Sequence, residues 1–273
     1  MNDSALAPLA AVLRRYSYAY TAAHDFEVCP QIMVDDYELL MGEHRIRGRD
    51  DAYIPATARQ FRQFPTLGFT VHELLLGEDR AALHFTEHGR SVVHNGESAW
   101  RGIGLYRWDG TRLTECRVEQ DYHSRRGQQR SGRCAPVHPP GIDPWASRPQ
   151  PADTTTETIV RSWLEGAGLM AAPVGYLDDE HFAPAQRMRL DDPRVTIMDL
   201  FTAGERAAFH VRLDGGYRGG LDGEDEHVGR NARLYATGLV TVINGEVSRV
   251  RAVTDRLAAA RRMRRTAETA AAT

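Results

Sequence analysis

The sequence predicts an α+β protein built from two tandem copies of one unit, and three observations support this. Residues 70–85 (TVHELLLGEDRAALHF) align without a gap on residues 196–211 (TIMDLFTAGERAAFHV), with six identities: Thr70, Leu74, Arg80, Ala81, Ala82 and His84. Chance would give about one. The match resumes where Gly104, Leu105, Arg117 and Asp121 align with Gly238, Leu239, Arg251 and Asp255. The offset there is eight larger, which puts an insertion near Gly215–Gly220 that reads as a lengthened hairpin loop. Finally, the first copy reads helix, strand, helix and then an antiparallel meander, the order of an α+β fold with helices on one face of a sheet. Two copies make a duplication, not a solenoid.

The elements follow from local signals. Leu6, Leu9, Leu13, Tyr16 and Tyr20 recur at three- and four-residue steps, predicting a helix over 5–23. A short strand is expected at 37–41. Gly48 and Asp50 open a second helix that Pro65 closes after Phe61 and Phe64. Strands are expected at 68–77, 80–93, 98–108 and 112–122, the last two joined by an Asp109-Gly110 turn. Residues 127–156 hold six prolines and no periodicity, and read as an extended linker. The second copy opens with Thr156 and Thr158 before Ile159, Trp163 and Leu164 on a new helix. Between Phe182 and Val195 it has no room for a counterpart of the second helix. Residues 257–273 predict a short, fraying helix.

Composition narrows the function. A chain of 273 residues suits two domains, and a net charge of −3 gives no general field for nucleic acid or an anionic membrane. Arg261, Arg262, Arg264 and Arg265 read as a solvated helix end. All 34 basic residues are arginine, which excludes Schiff-base chemistry, pyridoxal-phosphate anchoring and a P-loop lysine. Cys29, Cys116 and Cys134 form no CxxC pattern, so a reduced, cytoplasmic chain without a thiolate metal site is expected. No signal peptide and no apolar run long enough to span a membrane are evident.

At this point the residues resemble a family. Phe64-Pro65, Gly77-Glu78-Asp79-Arg80 before a strand, Tyr106-Arg107-Trp108-Asp109-Gly110, Leu113-Thr114-Glu115 and the closing Asp121 resemble a SnoaL-like domain of the nuclear transport factor 2 superfamily, over about residues 8–125. The resemblance implies a cone-shaped α+β barrel with an apolar pocket between helices and sheet. It divides the chain into a SnoaL-like domain at 1–126, a Pro-rich linker at 127–155, a degenerate copy at 156–262 and a frayed tail at 263–273. Members include cofactor-free polyketide cyclases, ketosteroid isomerases, dehydratases and epoxide hydrolases; others only bind ligands or partners. Many pair through their sheets, so the copies are expected to form an intrachain pseudo-dimer, with a further homo-oligomer open.

The last strand of the first copy draws attention. Glu115, Arg117, Glu119 and Asp121 share one side by strand alternation, and this is either a solvated face or a polar pocket wall. In SnoaL-like cyclases the acid at the position of Asp121 faces the pocket and serves as acid/base, which makes Asp121 the first catalytic candidate. The family usually has an aromatic residue where Arg117 stands, so the pocket is expected to be more polar here. His84 could be a general acid/base, but its recurrence as His210 suits a structural hydrogen-bonding histidine equally. His84 and His88 on one strand lie too far apart to share a metal, so no metal is expected. Tyr20 is expected to point its hydroxyl into the cavity, and Asp25 at the helix end reads chiefly as a loop residue. Glu119, Tyr37, Phe61 and Trp100 complete the expected substrate-binding wall. Since Glu119 becomes Val253 and Glu115 becomes Arg249 in the second copy, activity is assigned to the first.

The function expected is cofactor-independent acid/base chemistry on a small carbonyl-bearing molecule, such as a polyketide of secondary metabolism. Asp121 would remove a proton, and Tyr20, His84 or Arg117 would stabilise the enolate. Cyclisation, isomerisation and dehydration (a lyase reaction) stay open. The alternatives are a non-catalytic binding or accessory protein, and an epoxide hydrolase, which needs an Asp–Arg–Asp set around a water.

Overall fold

The computed structural model describes residues 5–94, 96–166, 168–172 and 187–271. It is α+β, with two separate sheets. The first has six strands in the order β2-β1-β6-β5-β4-β3: β1 (Met33–Met41), β2 (His44–Arg47), β3 (Gly68–Leu76), β4 (Arg80–Ser91), β5 (Gly96–Trp108) and β6 (Leu113–Gln120). Among the described residues, only the β1–β6 pair is parallel. The second has four strands in the order β10-β9-β8-β7: β7 (Leu190–Ala203), β8 (Arg206–Tyr217), β9 (Asn231–Ile243) and β10 (Glu246–Thr254). The barrels expected from the sequence are thus open sheets with helices in their concave faces. Edge strands β2 and β3 do not pair with each other.

In the first half the cover is α1 (Pro8–Arg15), running into a π-helical turn at Tyr16–Ala22, and α3 (Ile54–Gln63), which follows the four-residue α2 (Cys29–Ile32) and a second π turn at Arg49–Tyr53. Leu9, Ala10 and Leu13 of α1 are buried in a core shared with Val71, Leu74, Leu83 and Phe85 of the sheet. Each leucine contributes about 1.5–3 kcal/mol by leaving water. The π turn matters for the cavity. Its wider winding places Tyr16, Tyr20 and Thr21 side by side on the inner surface, with Thr21 Oγ1 donating to the Tyr16 carbonyl.

The aligned segments occupy the same register in both sheets. His84 faces Ile103 across β4–β5, and His210 faces Thr237 across β8–β9. A β-bulge interrupts β3 between Val71 and Glu73 and β7 between Ile197 and Asp199, at corresponding positions. The eight extra residues fall in the β8–β9 connection, which runs from 218 to 230 and includes Gly219 and Gly220 with positive φ. Of the stretch from 182 to 195, read as too short for a second helix, 182–186 lie outside the described residues, and in the rest β7 already begins at Leu190. Among the described residues, α5 (Thr154–Glu165), α6 (Gly168–Ala171) and α7 (Arg256–Ala271) accompany the second sheet.

Two stretches differ from the sequence reading. The expected linker begins with a helix, α4 (Tyr122–Ser131), N-capped by Asp121 and closed by Gly132 at φ 68°. It has no apolar stripe to reveal it, because the groups it buries are Ser124 and Gln128. Gln128 accepts from the amides of Ala99 and Ala135 and donates to the Ala99 carbonyl. The rest of the linker is extended and lies along the outer edge of β3, where Gly141 and Gln150 donate to the carbonyls of Val71 and Leu76 and Trp145 enters the core. That contact covers an edge strand that would otherwise be open. The C-terminal segment is also less solvated than expected: Ala259, Ala260 and Met263 join the second core, Arg262 pairs with Asp255, and Arg264 pairs with Glu224. No helix among the described residues is long and apolar enough to cross a membrane.

The outer faces of the two sheets meet. Leu75, Ala82, Ile103 and Leu105 pack against Phe201, Ala203, Ala208, Leu239 and Val253. Around this apolar centre run the polar residues of the same faces. Arg80, Arg107 and Arg117 converge on Asp199, Arg206 pairs with Glu73, and Arg256 pairs with Asp121.

Candidate active site

Strand alternation decides which side chains reach the cavity of the first half. On β6, Cys116, Val118 and Gln120 face inward, while Glu115, Arg117 and Glu119 face the second sheet. On β4 the inward series is Leu83, Phe85 and Glu87. On the helical side, Tyr53, Thr57, Gln60 and Phe61 recur at three- to four-residue steps and present one face. Together with Tyr16 and Tyr20 they enclose a cavity of about 60 Å³. That is room for a few waters, well below the several hundred Å³ of common ligand sites.

Glu87 is the charged group of this cavity. It is 5% exposed, and its Oε2 accepts from Gln60 Nε2 at 2.7 Å. Burial pushes its carboxyl up to about 7, against the opposing pull of the Arg125 guanidinium and the Gln60 amide. Arg125 is held by rings, lying 4.2 Å from the Tyr122 centroid and 4.9 Å from that of Trp100. The Trp100 indole N–H donates to Gln120 Oε1 at 2.8 Å, which fixes the amide at the cavity wall. Tyr16 and Tyr53 hydroxyls are 3.1 Å apart, and Tyr20 donates to Thr57 Oγ1 at 2.6 Å. Burial raises all three phenols, so they stay protonated. In the Tyr16–Tyr53 pair one hydroxyl donates to the other, and the second keeps a proton that a ligand oxygen can accept. A carboxyl half-protonated near neutrality, beside neutral O–H donors and away from water, can take a proton from carbon and return it.

The sequence candidates divide accordingly. Tyr20 and Phe61 line the cavity, and Trp100 supports it through Gln120. Tyr37 is fully buried behind it, edge-on to Tyr53. Asp121, Arg117, Glu119 and His84 lie elsewhere, which corrects the expectation of a shared pocket. Asp121 is the cap of α4, accepting from Ser124 N and Oγ and from Arg256 at 2.6 Å. Burial alone pushes its carboxyl up, but Arg256 and the Ser124 hydrogen bonds outweigh that and hold it low. A base so paired is a poor proton acceptor. Arg117 pairs with Glu115 at 2.8 Å and approaches Asp199 at 3.7 Å. Glu119 accepts from Gly42 N and meets His210 Nε2 at 3.1 Å. Burial raises that carboxyl to about 8 and lowers His210 to about 4, so the two form a neutral pair between the sheets. His84 faces a separate cleft on the outer side of the sheet. Asp25 caps a short 3₁₀ turn, as a loop residue would.

The sequence reading passed over Glu87, Gln60, Gln120, Tyr16 and Tyr53. A signal for Glu87 was present: it is the charged member of an otherwise apolar alternation with Leu83 and Phe85. A cleft of about 800 Å³ is lined by Glu43, Arg212, Asp214, Arg233 and Arg262, among others. Three of its arginines are engaged: Arg212 and Arg233 with Asp214, Arg233 also with Glu43, and Arg262 with Asp255. Among the described residues no cluster of His, Cys, Asp and Glu could hold a metal ion.

Residues 13–116 match the SnoaL-like domain family. No match is found among curated proteins. Similar solved structures include a SnoaL-like polyketide cyclase from Jannaschia sp. CCS1, at 14% identity over 46% of this chain and 94% of that one, with a TM-score of 0.42. Another SnoaL-like polyketide cyclase, from Shewanella denitrificans OS-217, is 16% identical over 46% of this chain and 99% of that one, with a TM-score of 0.41. A protein with a ketosteroid isomerase-like fold from Catenulispora acidiphila DSM 44928 is 14% identical over 39% of this chain and 82% of that one, with a TM-score of 0.36. The stretch that matches the SnoaL-like domain family thus runs from α1 into β6 and takes in the helices and strands that line the cavity.

Proposed function

We propose that the first half is a cofactor-independent acid/base enzyme acting on a small carbonyl compound, with Glu87 as the proton-transfer group. The observation that carries this reading is a buried carboxyl, raised to about 7, in a cavity lined by neutral tyrosine hydroxyls. Glu87 takes a proton from the carbon next to the carbonyl. The enolate oxygen accepts from a Tyr16 or Tyr53 hydroxyl, and the same carboxyl returns the proton at another carbon or supports ring closure or loss of water. Carbonyl-bearing polyketides belong to this substrate class. The cavity sets a limit: a substrate of more than a few heavy atoms enters by parting the helical cover that carries Tyr20 and Phe61. The second half, related by internal duplication, covers the back of the catalytic sheet as an intrachain partner and retains no counterpart of Glu87, whose aligned position is Leu213.

The test is deuterium incorporation from D₂O into the α-position of a panel of small ketones, followed by proton NMR. Exchange by the parent chain and its loss in Glu87→Gln is the expected result. Equal exchange in both removes Glu87 from the mechanism. A second reading, a binding module without turnover, is favoured by the small cavity, and it gains if neither protein exchanges but a ketone still shifts cavity resonances. The epoxide hydrolase set is not assembled among the described residues, since Asp121 pairs with Arg256 and Arg117 with Glu115 and Asp199.

A further inference from the structure

The charge that answers Glu87 comes from a helix beyond the stretch that matches the family. That stretch ends at residue 116, and α4 begins at Tyr122. Gln128 pins α4 to the Ala99 backbone of β5. Arg125 lies three residues earlier on the same helix face, over the inner side of the sheet. Its guanidinium carbon is 4.2 Å from the Tyr122 ring centroid, 4.9 Å from that of Trp100 and 5.5 Å from that of Phe64. Tyr122 lines the cavity together with Glu87, and Trp100 stands directly across from Glu87 in the β4–β5 pairing.

Aromatic faces hold this cation, and no carboxylate does. Arg125 makes no ion pair among the described residues, and its Nε is buried without a hydrogen-bond partner. A ring face attracts a cation without neutralising it. Glu87 is 5% exposed, so little water screens the remaining charge from it. The other groups around Glu87 are neutral: Gln60 of α3, the tyrosines of the π turn, Trp100 of β5, Gln120 of β6 and Tyr122 of α4. On its other sides Arg125 meets only like charge, from Arg126 and from Arg261 of α7.

Two comparisons within the chain bear on the role of this arrangement. Asp121 touches Arg256 at 2.6 Å and is held low by it. A guanidinium in contact would likewise leave Glu87 with little affinity for a proton. The internal repeat supplies the other comparison. The positions aligned with Glu87 and Arg125 are Leu213 and Ala259, both buried in the second core. The copy without the carboxyl is also without the guanidinium.

We propose that Arg125 is a positioning residue of the Glu87 site, set by ring faces at a remove from the carboxyl so that its charge supports the ionised form without an ion pair. This rests on the reading of Glu87 as the proton-transfer group. Burial alone would keep Glu87 protonated, and a base must ionise before it takes a proton from carbon. Contact pairing would remove its hold on that proton. A cation at intermediate range leaves both states within reach near neutral pH.

The test is carbon-13 titration of the Glu87 carboxyl in the full chain and in Arg125→Gln, Arg125→Met and Arg125→Lys, with deuterium exchange into the ketone panel followed across pH in each. Arg125 is half-buried, so the variants should keep the parent's far-ultraviolet circular dichroism, and two neutral variants cover the case in which one does not fold. In both neutral variants the inflection should move up by about one pH unit, a tenfold change in the ionisation constant, and the acid limb of the exchange profile should move with it. Arg125→Lys, which keeps the charge, should stay near the parent. An unmoved inflection in a folded neutral variant, or an equal rise in Arg125→Lys, would overturn the proposal. Exchange in the parent with an unmoved inflection removes Arg125 alone. A moved inflection with no exchange in any protein removes the acid/base role of Glu87 and leaves its coupling to Arg125 standing.

Discussion

The substitution Asp199→Asn probes how the two sheets are held together. The Asp199 side chain is 4% exposed and receives Arg80, Arg107 at 3.1 Å and Arg117 at 3.7 Å. Asparagine keeps the shape and removes the charge. Breaking a buried pair from one side costs about 3–5 kcal/mol, because the remaining charge is left without its counterion. Arg107 and Arg117 keep Glu115, at 3.3 and 2.8 Å, so the loss falls mainly on Arg80, whose side chain is 13% exposed and lies over the Phe201 ring. The lower end, about 3 kcal/mol, is therefore expected, or a fall of about 6–12 °C in thermal midpoint. The aligned pair Glu73–Arg206 is the internal control. With side chains 22% and 31% exposed, Glu73→Gln should cost about 1 kcal/mol or less. Urea unfolding followed by far-ultraviolet circular dichroism measures both. If Asp199→Asn lies within about 1 kcal/mol of the parent, or Glu73→Gln costs as much, the cluster does not hold the sheets as argued.

Two further outcomes are expected. A Cβ at Gly238 would come within 2.3 Å of the Phe209 ring and 2.8 Å of the Arg251 carbonyl oxygen, so Gly238→Ala should destabilise by about 1–3 kcal/mol, measured by thermal denaturation. Asp121→Asn removes the α4 cap and the charge facing Arg256, and should cost about 3 kcal/mol at neutral pH while leaving Glu87-dependent exchange in place. Because the folded-state pKa of Asp121 is depressed, its contribution is present above the ordinary aspartate value and fades as pH falls through the folded value. The gap between parent and variant should therefore close in acid.

Much of the fold was legible because hydrophobic period and turn residues set it locally. The four strands of the meander, the Asp109-Gly110 turn and the helix end before Pro65 fall within a few residues of their expected places. What escaped depends on contacts remote in sequence. α4 buries serine and glutamine against the backbone of β5, so it carries no apolar stripe. β2 is a four-residue edge strand with no buried residue. The candidate residues divide between two faces for a related reason. Four charges on one face of β6 suggested a polar pocket wall, but that face meets the second half, where Asp199, His210 and Arg256 face Arg117, Glu119 and Asp121. Alternation gives two faces and does not say which one is concave. Glu87 could have been found by asking which strand carries a charge on its apolar face.

The account depends most on the ionisation of Glu87. Carbon-13 NMR titration of the glutamate side-chain carboxyls, with the Glu87 signal assigned by its loss in Glu87→Gln, reads this directly. An inflection near 7 for that carbon is the predicted result, raised by burial in the tyrosine-lined cavity. An inflection near the ordinary value of 4.5 would show a solvated carboxylate and contradict an acid/base role for the cavity.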